Sequence, residues 1–389
     1  MDTQPTCFAR TNFRGDRRLF GIRQADRRAH MYVIGKTGTG KSTLLHTLMR
    51  HDLASGQGFA LLDPHGDLVE HVRRQVPVWR QPDLTYVNVP DPSERFGFNP
   101  LASVPHEKRA LAASGLLDVF KKLWLDSWGP RLEYILRNAL LALLEQPQAT
   151  LADVLRLLVD DSYRRQAASR VENLQVRSFW LREYAGYHER LRAEAIAPVQ
   201  NKVGAFFANP LLARILTVPR STVDLRQLID DGKVLLVNLA KGKLGEDTAS
   251  LLGALLVTSL GWAAFSRADV PEEKRRDFFV YLDEFQNFTT LSLATMLSEL
   301  RKYRVGLVLA HQYLAQLELP IRDAILGNVG TTIAFRVGAA DAELLAQEFY
   351  PEVALVDLVS LPNHQIYLRL MVNGVPSAPF SGETLPPAT

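Results

Sequence analysis

Eight consecutive residues, Gly35-Lys36-Thr37-Gly38-Thr39-Gly40-Lys41-Ser42, followed by Thr43, have the types and spacing to hold a triphosphate. Three glycines let the backbone wrap closely enough to point several N–H groups at phosphate oxygens. Lys41 then reaches the β- and γ-phosphates, and Ser42 can place its hydroxyl on Mg²⁺. The apolar run Met31–Ile34 precedes the loop and the helix-forming stretch Thr43–Met49 follows it, so the positive end of a helix dipole faces the same point. A glycine-rich turn without a ligand is the competing reading. The strand before and the helix after favour a Walker A loop that binds ATP.

A second set suits phosphoryl transfer, whose catalysis is mostly positioning and charge neutralisation. Phe278–Leu282 runs directly into Asp283 and Glu284, the Walker B pattern, in which Asp283 stands beside Mg²⁺ and Glu284 polarises the attacking water. Gln312 follows the apolar run Gly306–His311 and is placed to touch the γ-phosphate or that water. Arg301, with Lys302 and Arg304 nearby, ends a helix. Such cations complement the helix dipole, or Arg301 serves as an arginine finger for a neighbouring subunit, with Arg336 as its rival. His311 and Cys7 have no metal-like spacing.

These residues need a sheet to position them. Gly58–Asp63, Leu84–Val89, Lys233–Leu239, Phe278–Leu282, Val305–Ala310 and Thr331–Val337 read as strands alternating with helices, which argues for an α/β fold with a mainly parallel sheet. The strand signal disappears between about 101 and 220. There Leu111–Lys122, Arg131–Leu144, Leu151–Val159 and Glu194–Ala208 carry apolar residues at helical spacing. The expected organisation is a nucleotide-binding domain in two parts, 1–100 and 221–389, interrupted by an all-α insertion at 101–220. Glu246–Arg267 reads as a long helix, Thr289–Tyr303 as another, and Gln365–Phe380 as a hairpin turning at Asn373-Gly374.

Composition sets the bounds. At 389 residues, 47% hydrophobic and 22% charged, the chain is an ordinary globular protein with room for two domains. Forty-five basic against 42 acidic residues give a charge of +3, too balanced to announce a nucleic-acid partner, so any DNA contact must be local. One candidate is the N-terminal run of Arg10, Arg14, Arg17, Arg18, Arg23, Arg27 and Arg28, which reads equally as a solvated arm beside the first strand. The helical stretch 151–200 holds eight Arg/Lys and seven Asp/Glu, which gives no charge-based case for DNA binding there. A single cysteine rules out an intrachain disulfide and suits a reducing cytosol. The N-terminus has no apolar signal core, and the apolar stretch Leu251–Phe265, about 15 residues, is short for a bilayer and reads as a buried helix.

The segments GKTGTGKSTLL, LLDPHGDL, FGFNPL, NKVGAFFANPLLARIL, VLLVNLAKGKLGED, FVYLDEFQNF and LVLAHQYLAQL together resemble the coupling ATPases of type IV secretion, conjugative DNA-transfer proteins of the TraD/TraG kind. These belong to the HerA/FtsK superfamily of ring-forming DNA motors. The resemblance runs from about residue 20 to the C-terminus. It implies a RecA-like P-loop NTPase core, a homo-hexameric ring, and ATP- and Mg²⁺-dependent movement of DNA. By the same resemblance Lys41 and Ser42 bind nucleotide and metal, Asp283 and Glu284 are Walker B, Gln312 is the sensor, Arg301 is the finger, and relaxase or secretion-channel proteins are partners. Coupling proteins usually carry N-terminal membrane spans, and this sequence shows none. The expected location is therefore cytoplasmic, with recruitment to the inner membrane left to a partner. Two alternatives stay open: an ATPase driving protein export or assembly, and a nucleotide-gated DNA-binding scaffold without useful turnover. Glu284 argues against the latter.

Overall fold

Continuous apolar runs build the central strands of the sheet, because a strand covered on both faces has no solvent side for polar residues. The computed structural model describes residues 4–102, 104–124 and 128–386. It divides into two units, one comprising 1–90, 225–244 and 263–389, the other 91–224 and 245–262.

The first unit is organised by an 11-stranded sheet. Its strands are β1 (Thr6–Thr11), β2 (Leu19–Ile22), β3 (Met31–Ile34), β4 (Gly58–Asp63), β5 (Leu84–Asn88), β6 (Val234–Asn238), β7 (Phe278–Leu282), β8 (Val305–His311), β9 (Thr331–Ala334), β10 (Gln365–Arg369) and β13 (Phe380–Thr384). They lie in the order β2-β1-β13-β10-β9-β3-β8-β7-β4-β6-β5. From β9 to β5 every pairing is parallel, and β10, β13, β1 and β2 add an antiparallel edge. All residues of β3, β4, β6, β7 and β8 are buried.

The antiparallel edge corrects two expectations. The basic N-terminus is the hairpin β1–β2 followed by the short helix Gln24–Arg27, and its charges are mostly neutralised within the unit: Arg10 and Arg17 on Glu383, Arg18 on Asp16, Arg27 on Asp52, Arg28 facing Asp277. Asn373-Gly374 does turn the chain, with φ of 53° and 79°, but it joins only the short strands β11 (Met371–Val372) and β12 (Val375–Pro376). The longer partner of β10 is β13. The Asp26 carboxylate accepts the N–H groups of both turn residues, which fixes this ribbon to the start of the chain.

Two expected elements end early. The strand predicted to reach Val337 stops at Ala334, and the helix predicted over Thr289–Tyr303 is α-helical only from Ser292 to Glu299, tightening to a 3₁₀ turn at Leu300–Tyr303. Arg304, at φ 58°, turns that chain into β8.

The second unit is helical, with helices at Arg109–Leu123, Pro130–Leu143, Asp153–Val159, Asp161–Arg170, Glu189–Ala208 and Pro210–Leu216 as its main pieces. Its limits differ from the expected 101 and 220. The Phe96–Asn99 stretch joins it because Phe98 N–H donates to Ile215 O and Thr222 N–H to Gly97 O, pairing the two chain entries. Most of the helix Glu246–Phe265 joins it as well. That helix has no polar face and so needs burial all round. Gly115 lies so close to it that a Cβ there would stand 2.9 Å from Trp262 and 3.0 Å from Thr258. Among the described residues it is the one helix long and apolar enough to cross a membrane, and 83% of its apolar window is buried.

Candidate nucleotide site at the carboxyl ends of the strands

Ligands of parallel sheets gather where the strands end, because loops leave there and helix N-termini point back. Here β8 lies between β3 and β7, in register as Ile34↔His311 and Leu282↔Leu309, so three chain segments distant in sequence end side by side. The loop Gly35–Ser42 leaves β3, Gln312 follows β8, and Asp283-Glu284 follows β7.

The loop is fixed from both flanks. Gly35 N–H donates to His311 O at 3.3 Å and Lys36 N–H to Arg336 O at 2.8 Å. Gly40 sits at φ 120°, and a Cβ on it would lie 2.8 Å from His364 Nδ1, so only glycine fits. The helix Lys41–Ser55 begins directly after it. Lys41 Nζ donates to Gly35 O at 2.5 Å and Lys36 O at 3.1 Å, folded over the loop it belongs to. Burial lowers its pKa, an effect that the Asp283 and Glu284 charges oppose.

Facing it is an acidic cluster. Asp283, 6% exposed, receives, among the described residues, the Glu284 N–H at 3.1 Å and the Ser42 hydroxyl at 3.4 Å. Its pKa is pushed up to about 6, first by burial, then by the charges of Asp63 and Glu284, with Lys41 a partial offset. A buried carboxylate among like charges and beside a hydroxyl is short of positive charge, which is the condition a metal ion relieves.

Glu284 stands at φ 46°, a left-handed conformation unusual for this residue type. Gln312 Nε2 donates to its Oε1 at 2.6 Å, while Gln312 Oε1 accepts from Thr37 Oγ1 at 3.0 Å, so one amide joins the loop to the acid. Two further side chains reach the other oxygen: His65 Nε2 at 3.0 Å and Lys241 Nζ at 3.5 Å from Oε2. Burial raises the Glu284 pKa, but the Gln312 and His65 hydrogen bonds and the nearby His65 and Lys241 charges bring it below the usual value.

Behind the tips, His311 Nε2 pairs with Tyr32 OH at 2.5 Å and its ring packs 4.9 Å from that of Phe285. Burial, with a smaller contribution from the Lys41 charge, holds His311 neutral with a pKa lowered to about 3. It is a packing element beneath Gln312 and the Walker B turn. No cluster of three metal-ligating side chains exists among the described residues.

Every predicted loop residue, Asp283, Glu284 and Gln312 therefore meet at one edge. Arg301 does not. It is exposed in the 3₁₀ turn that precedes β8, at the opposite end of that strand from Gln312 and so about 20 Å away at the rise of a strand. Arg336 lies near the loop, with its guanidinium bound to Leu361 O and Asn363 Oδ1. Sequence reasoning missed His65, Lys241 and His364. The first two follow β4 and β6, so the signal was available: a polar residue just past the end of each parallel strand is a site candidate.

Residues 25–258, more than half of the chain, match the family described as the central domain of helicase HerA. Residues 277–348 match the family described as the TraM recognition site of TraD and TraG. Comparison with curated protein sequences finds no match. Among solved structures, the fold is similar to that of the bacterial conjugative coupling protein TrwBdeltaN70 (16% identity, 98% of this chain and 89% of that one, TM-score 0.66). It is also similar to the plasmid coupling protein TrwB in complex with ADP and Mg²⁺ (16% identity, 100% and 96% covered, TM-score 0.65). VirB4 of Thermoanaerobacter pseudethanolicus shares the fold too (12% identity, 99% and 97% covered, TM-score 0.67). The chain therefore belongs to the HerA helicase central-domain family.

Proposed function

We propose that this protein hydrolyses ATP and uses the energy to move DNA, as a ring of identical subunits. The observation that carries the reading is the joined set Thr37–Gln312–Glu284 beside Lys41, Ser42 and Asp283: a triphosphate loop connected by one amide to a carboxylate suited to activating water. In this reading Gly35, Lys36, Thr37, Gly38, Thr39, Gly40, Lys41, Ser42 and Thr43 receive the nucleotide. The phosphates draw Lys41 off the carbonyls of Gly35 and Lys36, which cost it little to leave because a phosphate oxygen is the stronger acceptor.

Ser42 and Asp283 fit Mg²⁺, which characteristically takes one or two protein oxygens and completes its shell with phosphates and water. When bound, that ion supplies positive charge to the phosphate oxygens and to the underpaired Asp283. Glu284 orients and deprotonates the attacking water, and Gln312 reports the state of the loop to it. Arg301, remote from its own subunit's loop, is suited to acting in trans. Mixing Arg301→Ala with Glu284→Gln subunits should restore part of the turnover each lacks alone, and rings shown to be mixed but inactive would exclude Arg301 as the finger in favour of Arg336.

DNA is the cargo of the TraD/TraG-like reading, with relaxase or channel proteins as partners and membrane attachment through one of them. A motor stepping along arbitrary sequence must hold phosphates rather than base edges, so binding should ignore base sequence and respond steeply to salt. Raising salt from about 50 to 200 mM should weaken binding by on the order of a thousandfold if six or more phosphates are held. ATP turnover and DNA binding of the assembled form, measured across that range, test this. Turnover indifferent to DNA, with absent or salt-independent binding, would move the reading to protein export or assembly.

A further inference from the structure

Glu284 is over-restrained for a group that must accept a proton from water. Its Oε1 is taken by Gln312 at 2.6 Å, and its Oε2 by His65 at 3.0 Å and Lys241 at 3.5 Å. Gln312 answers to the nucleotide loop through Thr37, but neither His65 nor Lys241 touches that loop among the described contacts. Both belong instead to the far side of the Walker B strand, on the tips of β4 and β6.

Those two tips are braced as one body. Leu239 N–H donates to Asp63 O at 2.9 Å and Lys241 N–H to Pro64 O at 2.8 Å. The Asp63 carboxylate in turn accepts the N–H groups of His65 at 2.8 Å and Val69 at 3.1 Å. What remains free to move is the Lys241 side chain, about a third exposed, on a flexible four-carbon stem. The short helical turn it opens, Lys241–Leu244, carries two ammonium groups, with Gly242 and Lys243 exposed, and the exposed acids Glu246 and Asp247 follow it. Lys243 has no ion-pair partner among the described residues. Lys241, partly open to solvent and in contact with the Glu284 carboxylate, and the exposed Lys243 on the same turn are each able to take a phosphodiester oxygen.

We propose that Lys241 is the point at which DNA acts on hydrolysis: at rest it holds Glu284, and when this turn meets DNA it exchanges that carboxylate for a backbone phosphate. The inference rests on the translocase reading and adds to it a positioning residue and a route by which cargo sets the rate. Removing the cation from Oε2 leaves that oxygen to His65 alone, which frees Glu284 to turn toward water. DNA does the same reversibly, so turnover is spent mainly when DNA is in place.

The experiment is steady-state ATP turnover of wild type, Lys241→Met and Lys241→Arg, each as the assembled form, with and without DNA. Lys241→Met should raise DNA-free kcat by about two- to fivefold, the range set by a partly exposed ion pair. KM for ATP should stay unchanged, and stimulation by DNA should fall towards none. Lys241→Arg should retain both the low DNA-free rate and the stimulation. A DNA-free rate in Lys241→Met equal to or below that of wild type would overturn the proposal, as would wild-type stimulation in that variant. If wild type itself ignores DNA, the translocase reading falls and the exchange with it. If wild type is stimulated and Lys241→Met is stimulated equally, the exchange alone falls.

Discussion

Asp52 and Asp283 are both buried aspartates of the same sheet unit, and their surroundings differ in one respect. Asp52, on the helix that follows the nucleotide loop, receives Arg27 Nη1 at 2.6 Å, Arg27 Nη2 at 2.9 Å and the Tyr281 hydroxyl at 2.5 Å, and the guanidinium lies 3.8 Å over the Phe279 ring. Burial pulls the Arg27 pKa down, yet Asp52 and Tyr281 more than reverse it. Asp283, at the tip of the strand that carries Tyr281, has two weak donors and two acidic neighbours. A buried charge with its partner in place pins elements together, here the loop helix to β7. A buried charge without one is suited to a cation, so in the proposed reading the same residue type serves structure in one place and chemistry in the other.

The contrast can be broken from the structural side first. Asp52→Ala strands Arg27 as an unpaired buried cation and should cost about 3–5 kcal/mol of stability, seen in denaturant unfolding. Turnover per folded molecule should fall far less than the folded fraction. A loss below about 1 kcal/mol would mean that the cluster is not the clamp described here.

His30 offers a pH test of the same closed interior. Its Nδ1 accepts the Leu307 N–H at 2.9 Å and its Nε2 donates to Leu297 O at 3.0 Å, so the ring is used as one neutral tautomer. Burial, assisted by the Arg301 charge and opposed by the Leu297 hydrogen bond, lowers its pKa to about 4. A histidine depressed on folding contributes stability that is fully present above its unfolded pKa, near 6.5, and is lost as pH falls towards 4. The lost contribution should approach about 3 kcal/mol. The stability advantage of wild type over His30→Asn should therefore shrink across that window, and a constant difference would place the proton elsewhere.

The open edge is sharpened by Glu284→Gln. The substitution keeps size and hydrogen-bonding reach while removing the proposed base, so ATP binding should persist and turnover should fall by about two orders of magnitude or more. Stability should move by no more than about 0.5 kcal/mol, since the lost ion pairs are partly exposed. Normal turnover would put the base at another residue.

Much of this was legible before folding was considered. The nucleotide loop is contiguous, and its chemistry is that of consecutive backbone N–H groups, so eight neighbouring residues state it. Asp283 and Glu284 follow five apolar residues that can only be a buried strand, and Gln312 follows another. Helix ends were less legible, as at Ser292–Glu299, because termini answer to caps and packing more than to periodicity. The N-terminal hairpin escaped notice because its strands are short, the arginines Arg14, Arg17 and Arg18 crowd the turn between them, and β1 is held by an edge formed by β13 from far along the chain.

What the sequence by itself determined is therefore the set of local parts: a phosphate loop, an acidic strand end, an amide strand end, and a helical insertion between sheet halves. Their assembly was decided by the strand order β3-β8-β7-β4-β6, which packs loop, amide and acid on one side and adds His65 and Lys241 on the other. Strand order is set by how apolar faces bury against helices over the whole unit. No window of neighbouring residues contains that information, so the partners of Glu284 at positions 65 and 241 emerge only in the folded chain.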